Sequence, residues 1–326
     1  MSFIAVTHLT KTYRIAQRGS GVGGALRGLI TREHREIHAL RDLSFSVEEG
    51  EILGYIGPNG AGKSTTIKIM SGIMRPDGGE CLVAGRIPWK DRIEHVRRIG
   101  VVFGQRTQLW WDLPAGESFQ LLKVMYRVSE ERFRENMGEL EALLSLEPLM
   151  DVPVRQLSLG QRMRCEIAAS LLHGPEVLFL DEPTIGLDAS AKIAVRGFIR
   201  EYNRRRRLTV ILTTHDMDDI EELSHRILVL HEGELVYRGT MEGLRRQEGE
   251  QRQLVIDTEG HGQVAPVPGV DVREEDGRLT CRYDSRRTDV NAIISAVTAS
   301  RRIVDLVAES EPIERIVARV YRNRGA

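Results

Sequence analysis

A chain of 326 residues with 46 Lys and Arg against 47 Asp and Glu has room for about two domains and carries a formal net charge of −1. This balance gives no electrostatic reason to expect a nucleic-acid partner, and we predict none. The three cysteines lack metal or redox spacing, which suits a reducing cytosol, and we find neither a signal-peptide pattern nor an apolar run long enough to span a membrane.

The N-terminal region is expected to form a β-sheet that residues 18–36 interrupt. Tyr13, which precedes the interruption, is a candidate for stacking on an adenine base, a contact worth about 1–3 kcal/mol; an ordinary strand aromatic is the alternative. The interrupting segment is Gly-rich at first and then places Leu26, Leu29 and Ile30 on one helical face. It is therefore either an amphipathic helix at a membrane-facing rim or a mobile surface loop.

A phosphate-binding loop is predicted between a buried strand over residues 52–56 and a helix over residues 63–73 that has Ile73 on its apolar face. The loop matches the pattern G-x-x-x-x-G-K-S, whose glycines let backbone N–H groups converge on phosphate oxygens. The positive end of the helix points at the same anion, Lys63 adds charge for the β- and γ-phosphates, and Ser64 offers its hydroxyl to Mg²⁺. The nucleotide-binding residues predicted here are Gly57, Pro58, Asn59, Gly60, Ala61, Gly62, Lys63, Ser64 and Thr65.

Two later segments follow the pattern of a buried strand that ends in polar residues. Residues 177–180 lead into Asp181 and Glu182, and residues 208–212 lead towards His215. Beside a phosphate loop, Asp181 can hold Mg²⁺ through its water shell, and Glu182 can act as the general base on an attacking water. His215 can hydrogen-bond the γ-phosphate, so Glu182 and His215 are the predicted catalytic residues.

A strand over residues 99–103 is predicted to run towards Gln105. The amide of Gln105 can contact both Mg²⁺ and the attacking water, which makes Ser64, Gln105 and Asp181 the predicted Mg²⁺ ligands. Trp110 and Trp111 follow closely. Adjacent tryptophans are either the anchor of an interface or part of the core of the surrounding helices.

The segment Leu157-Ser158-Leu159-Gly160-Gln161 resembles the signature loop of ABC transporter ATPases, and the motifs over residues 1 to about 240 are similar to that family in order and spacing. Leu159 stands where glycine is common in the family. The resemblance implies that Ser158, Gly160 and Gln161 bind the γ-phosphate held by a second subunit, and that Gly186-Leu187-Asp188 crosses the interface between the two. The signature opens a helix predicted over residues 161–172. It therefore presents a second helix N-terminus to the anion, and one compact fold cannot supply both ends and still leave an entry path.

The resemblance also implies the fold class, an α/β P-loop NTPase cassette with a RecA-like core, an antiparallel β subdomain and a helical subdomain over about residues 106–170. In the family, the helical subdomain receives the coupling helix of a membrane subunit. We place the ATPase domain at residues 1–243 and a small accessory α+β domain, with a hairpin turning at Asp276-Gly277, at residues 244–326. The pattern of this second domain loosely resembles that of the C-terminal domain in ATPases of the type-2 exporter group.

Taken together, these resemblances imply an ATP-hydrolysing subunit that uses ATP and Mg²⁺ and works as a homodimer or with a paired ATPase subunit. Such a subunit sits at the cytoplasmic face of the membrane under separately encoded permease subunits. Export is the expected direction, and an importer ATPase with a regulatory C-terminal domain is the alternative. ABC proteins of translation control or DNA repair are disfavoured, because the chain has one cassette and neither heptads nor metal-ligand spacing.

Overall fold

The computed structural model describes residues 2–16, 34–104, 106–247, 251–260, 262–275 and 277–324. The chain separates into a first unit, Met1–Gly239, and a second unit, Thr240–Ala326. Along the first unit the elements are β1 (Ile4–Ala16), β2 (His34–Val47), β3 (Ile52–Ile56), α1 (Lys63–Met70), β4 (Gly78–Val83), α2 (Arg92–Val96), β5 (Ile99–Phe103), α3 (Ala115–Tyr126), α4 (Glu130–Leu144), α5 (Leu159–Leu171), β6 (Val177–Asp181), α6 (Ala189–Arg206), β7 (Thr209–Thr213), α7 (Met217–Leu223), β8 (Arg226–His231) and β9 (Glu234–Gly239).

A six-stranded sheet in the order β5-β6-β7-β3-β8-β9 forms the centre of the first unit. Neighbouring strands are parallel except for β8 and β9, which pair antiparallel. Every residue of β3 and β7 is buried, as expected for apolar runs in a parallel sheet that is covered on both faces. The four strands predicted to precede the polar motifs are therefore confirmed, with ends shifted by at most one residue.

A three-stranded antiparallel sheet in the order β2-β1-β4 packs against this centre. Its alternating apolar residues, among them Ile4, Val6 and Phe45, share one core with Tyr55 and Phe179 of the parallel sheet. Ala16 at the end of β1 pairs with His34 at the start of β2. Residues 34–36 are thus strand, which corrects part of the prediction for residues 18–36, and the helix predicted within that segment lies outside the described residues.

Helix α1 is shorter than the sequence pattern indicates. It ends at Met70, because Gly72 adopts a φ of 74° and a Cβ there would lie 2.7 Å from the carbonyl oxygen of Pro88. Ile73 therefore leaves the apolar face of the helix and is 52% exposed, contrary to the prediction.

The region between β5 and β6 is mostly helical, as predicted. Ser129 caps α4 and Ser158 caps α5 through their side-chain oxygens, and α3 and α4 both contact α5. Within the described residues of the whole chain, no helix combines the length and the apolar character needed to cross a membrane.

The second unit contains one antiparallel sheet covered by helices. Its elements are α8 (Met241–Gln247), β10 (Gln251–Glu259), β11 (Val270–Glu275), β12 (Arg278–Asp284), α9 (Val290–Thr298), β13 (Arg302–Ser310) and α10 (Ile313–Arg324), and the strands are ordered β11-β12-β10-β13. Leu254 and Ile256 of β10 pack with Ile293 and Val297 of α9. The predicted α+β pattern and the pairing of β11 with β12 are confirmed, although Asp276 of the predicted turn lies outside the described residues.

Candidate functional site

The site lies where four neighbouring strands of the parallel sheet end. Because β5, β6, β7 and β3 are adjacent and parallel, the segments that follow them meet at one edge of the sheet. A cleft of about 660 Å³ opens there. Its walls include Tyr13, Ile37, Ala39, Pro58, Asn59, Gly60, Ala61, Gly62, Lys63, Ser64, Thr65, Lys68, Ile73, Phe103, Gly104, Arg106, Asp181, Glu182, Ile185 and His215.

The loop before α1 has the geometry of an anion cradle. Gly60 and Gly62 adopt φ angles of 83° and 106°, and a Cβ on Gly62 would lie 2.5 Å from the carbonyl oxygen of Ala39. Gly62 is also the N-cap of α1, so no side chain caps the first turn, and that turn contains no acidic residue. The positive end of α1 is therefore open to a phosphate group in the cleft.

Lys63 folds back over this loop. Its side chain is almost entirely buried, and its ammonium group donates to the carbonyl oxygens of Gly57 at 2.5 Å and Pro58 at 3.2 Å. Burial lowers the pKa of Lys63, while the nearby carboxylates of Glu182 and Asp181 raise it. The loop thus holds a positive charge next to the anion site before any ligand arrives.

Ser64 and Asp181 are two described residues that could hold a divalent cation. Both line the cleft, and the hydroxyl of Thr213 donates to Oδ1 of Asp181 at 2.5 Å, which orients the carboxylate. No cluster of three or more His, Cys, Asp or Glu side chains suited to a metal occurs in the described part of the chain. Oxygen ligands from one carboxylate and one hydroxyl fit Mg²⁺, which is usually shared between a few protein oxygens and phosphates. Gln105, the third predicted ligand, lies outside the described residues.

Glu182 and His215 form a pair at the cleft. Glu182 adopts a φ of 59°, and its backbone N–H donates to the carbonyl oxygen of Thr213 at 2.9 Å. Nε2 of His215 lies 3.1 Å from Oε1 of Glu182, and the backbone N–H of His215 donates to Oε2 at 3.3 Å. Burial raises the pKa of Glu182, whereas His215 and Lys63 act in the opposite direction. A carboxylate with raised proton affinity that faces a phosphate site can accept a proton from water.

Tyr13 is far from Glu182 and His215 in sequence, but it lines the same cleft as the phosphate loop. Its hydroxyl lies 3.3 Å from Oγ1 of Thr65 and 3.2 Å from Sδ of Met74. Ile37 and Ile73 line the cleft too, and both are partly exposed. The sequence analysis did not assign these two isoleucines to the site, because single apolar residues carry no motif.

The signature residues Ser158, Gly160 and Gln161 are absent from the walls of the cleft. Ser158 caps α5: Gln161 N–H donates to its Oγ at 3.2 Å, and its own N–H donates to Oε1 of Gln161 at 2.8 Å. The helix begins at Leu159, two residues earlier than predicted. The side chain of Leu159 approaches Gly186, where a Cβ would lie 2.9 Å from Cδ2, so this departure from the family pattern packs against the Gly186-Leu187-Asp188 segment.

A buried network of hydrogen bonds around Asp219 connects the segments that carry Glu182 and His215. The sequence analysis did not predict it. The carboxylate of Asp219 is fully buried and accepts hydrogen bonds from Nε of Arg196 and from the hydroxyls of Thr184 and Thr214. Thr184 follows Glu182 closely, and Thr214 directly precedes His215. One carboxylate on α7 therefore ties together the segments that carry the two predicted catalytic residues.

Comparison with known proteins gives a consistent result. A family model described as "ABC transporter" matches residues 40–185. The daunorubicin resistance ATP-binding protein DrrA3 of Streptomyces coeruleorubidus is 32% identical over 265 residues, which cover 79% of this chain and 83% of that protein. The methionine import ATP-binding protein MetN 2 of Bacillus licheniformis is 33% identical over 211 residues, which cover 64% of this chain and 62% of that protein.

A solved structure resembles the chain closely enough to compare folds. It is a dimeric ATP-binding cassette in a post-hydrolysis state bound to ADP and phosphate, 28% identical, with a TM-score of 0.61. The match covers 73% of this chain and 98% of that one. The predicted fold class, an ABC-type α/β cassette, is thereby confirmed.

The Asp219 network gives a stability prediction. Asp219→Ala leaves the Arg196 guanidinium buried without its central acceptor, so we expect the free energy of unfolding to fall by about 3–5 kcal/mol. Arg200→Ala, on the helix α6 that also carries Arg196, is the matched control. It removes only an exposed ion pair with Glu222 and should lower the free energy of unfolding by at most about 1 kcal/mol. Urea denaturation measures both values. Equal losses in the two variants would contradict the role of Asp219.

Proposed function

Because the chain belongs to the ABC transporter family as an ATP-binding and ATP-hydrolysing subunit, we propose that it powers export as one half of a head-to-tail pair. The observation that carries the proposal is the position of Ser158, Gly160 and Gln161 outside the cleft that contains the phosphate loop. A signature segment that opens a helix but lies outside the cleft of its own subunit fits the nucleotide of a second subunit. ATP would then hold the pair together, and its hydrolysis would release it.

We assign the roles in the cleft as follows. The phosphate loop and Lys63 bind the β- and γ-phosphates, and Tyr13 stacks on the adenine. Ser64, Asp181 and Gln105 hold Mg²⁺, which when bound neutralises charge on the phosphates. Glu182 takes the proton of the attacking water as the bond from the γ-phosphorus to the bridging oxygen breaks, which yields ADP and phosphate.

His215 has two tasks in this scheme. Its contacts of 3.1 and 3.3 Å with Glu182 hold that carboxylate at the cleft, and its half-exposed side chain lines the cleft as well. Loss of the γ-phosphate would remove a hydrogen-bond partner of the ring, so His215 can report the state of the nucleotide to Glu182.

The partner surface for the membrane subunits lies on the helical region, at the cytoplasmic face of the membrane. Trp110 and Trp111 are 38% and 48% exposed, which favours the interface interpretation of this pair over the core interpretation. On α3, Leu121, Val124 and Met125 are exposed as well. Exposed aromatic and long apolar side chains are typical of an interface anchor.

Two observations favour export over import. The sequence pattern of the C-terminal unit loosely resembles that of type-2 exporter ATPases, and the relatives differ in how much of the chain they match. DrrA3, a resistance protein by its name, matches 79% of this chain, whereas the importer MetN 2 matches 64%. We further propose that residues 1–243 contain the whole ATPase domain and that residues 244–326 serve assembly or regulation. No cluster of potential metal ligands is found among the described residues of the second unit, and its core contains a cluster of mainly aliphatic side chains.

The composite site is tested with Glu182→Gln, which removes the base but keeps its shape. Turnover should fall by about 10²–10⁴-fold, while Mg-ATP still binds and the protein accumulates as an ATP-dependent dimer. Adding Ser158→Arg should dissolve that dimer, because it places bulk and charge where the partner's γ-phosphate docks. Size-exclusion chromatography with light scattering measures both steps. A Glu182→Gln protein that stays monomeric at every ATP concentration would argue against a composite site in the isolated subunit.

The docking surface is tested with Trp110→Ala combined with Trp111→Ala. The isolated double variant should keep its ATP turnover, since neither ring contacts the phosphate loop. After solubilisation of the membranes, however, far less of it should co-purify with the membrane subunits. Ile193→Ala, an exposed apolar residue on α6, is the control and should bind normally. Undiminished recovery of permease by the double variant would exclude this surface. A solute-binding protein recovered with the permease would support import instead.

The domain division is tested by a chain that ends at Gly243. If the second unit does no chemistry, the shortened protein should fold and hydrolyse ATP at a measurable rate. The amount that co-purifies with the permease, or the regulation of its ATP turnover, should change. Circular dichroism confirms folding, and phosphate release measures turnover. A folded truncate that binds ATP normally yet releases no phosphate would overturn the proposal.

A further inference from the structure

Glu166 on α5 is a buried carboxylate that the mechanism above does not use. It is only 4% exposed. Its two side-chain oxygens accept hydrogen bonds from the hydroxyl of Thr107 and from the backbone N–H of Gln108, the latter at 3.2 Å. The side-chain amide of Gln108 donates in turn to the backbone oxygen of Glu166 at 3.0 Å. Thr107 and Gln108 are thus both bound to one residue of α5, which we call the signature helix because the signature residues open it.

The segment held in this way leads directly into the cleft. Arg106, which precedes Thr107, lines the cleft that contains the phosphate loop. At the other end of the connection, Glu166 lies eight residues after Ser158 on the same helix, about 12 Å along its axis at 1.5 Å per residue. Glu166 therefore joins a wall of this subunit's nucleotide site to the helix whose first turn faces the partner's nucleotide.

The same segment continues to the proposed docking surface. The guanidinium of Arg162, one turn before Glu166, lies 5.6 Å from the ring centroid of Trp111. The backbone N–H of Trp110 donates to the buried hydroxyl of Ser118 on α3 at 3.2 Å. The segment that Glu166 attaches to α5 is therefore continuous with the two tryptophans of the proposed docking surface.

We propose that Glu166 is a positioning residue for ATP hydrolysis, which holds residues 106–109 against the signature helix so that the two move as one body. This inference deepens the proposed function and rests on it. A carboxylate suits the task because its two oxygens satisfy two donors at once. Burial raises the pKa of Glu166, while its hydrogen bonds and Arg162 lower it. An apolar residue would fill the same space without that desolvation cost, but it would release Thr107 and Gln108.

The test compares Glu166→Leu with Glu166→Gln and with Ser170→Ala. Leucine fills the space but accepts no hydrogen bond, whereas glutamine offers one oxygen to Gln108 and one N–H to Thr107. Ser170→Ala, on the same helix, removes only a local hydrogen bond to Ile167 and is the control for helix stability. Glu166→Leu should lower kcat by about 10- to 100-fold with an unchanged KM for ATP, since misplacement of a catalytic segment costs this much. Glu166→Gln and Ser170→Ala should keep kcat near that of the unaltered chain.

Fluorescence gives a second readout that needs no hydrolysis. In a Trp89→Phe background the remaining tryptophans are Trp110 and Trp111. Binding of Mg-ATP should change their emission in the otherwise unaltered chain and in Glu166→Gln, but not in Glu166→Leu. The exposed variant Thr107→Val should weaken both the response and kcat in the same direction, even if Glu166→Leu fails to fold.

Any one of three results with the helix variants would overturn the inference: an unchanged kcat in Glu166→Leu, an equal loss of kcat in Ser170→Ala, or a persisting emission change in Glu166→Leu. A normal kcat and emission response in Thr107→Val would overturn it as well. The turnover of the unaltered chain reports separately on the proposed function, because the inference concerns only the ratios between variants.

Discussion

The position of β7 between β6 and β3 is the constraint on which the rest of the site depends. Ile211 of β7 pairs with Phe179 on one side and with Leu53 on the other, so the three strands end at the same level. Thr213 at the end of β7 then reaches back to β6: its carbonyl oxygen accepts the N–H of Glu182 and its hydroxyl holds Asp181. A slip of one residue in this register would turn every side chain of the strand to the opposite face and separate the acidic pair from the phosphate loop.

Three charged side chains in or near the interior of the first unit are held in place by specific partners. Lys63 is held by two loop carbonyls, Glu182 by His215, and Asp219 by an arginine and two hydroxyls. Burial removes water from each of these groups, which costs free energy. The hydrogen bonds that each group forms offset part of this cost and fix the orientation of its side chain. The result is a cleft whose polar groups are oriented by contacts within the protein, and such preorganisation is a main source of electrostatic stabilisation in enzymes.

Much of the cleft could be predicted because its residues follow strands closely in sequence. The phosphate loop, Asp181 and Glu182 each come directly after a short apolar run, and a parallel sheet brings such strand ends together whatever the strand order. Supporting residues such as Asp219 and Glu166 carry no comparable signal. A carboxylate on a helix is usually solvated, and only the packing of segments that are distant in sequence reveals that these two are buried. The end of α1 was predicted too late for a related reason, since Gly72 is required by a contact with the distant Pro88.

The pairing of Ala16 with His34 has a consequence for how this chain tolerates change. The ladder of β1 and β2 brings Ala16 and His34, which flank residues 17–33, to adjacent positions. The entropic cost of joining two fixed ends depends only weakly on the number of residues between them, and a doubling costs about 0.6 kcal/mol. Insertions or deletions between residues 17 and 33 should therefore leave Tyr13 and Ile37, which pair on the same ladder, in place at the cleft. This part of the chain can diverge in length and composition while the nucleotide site is kept.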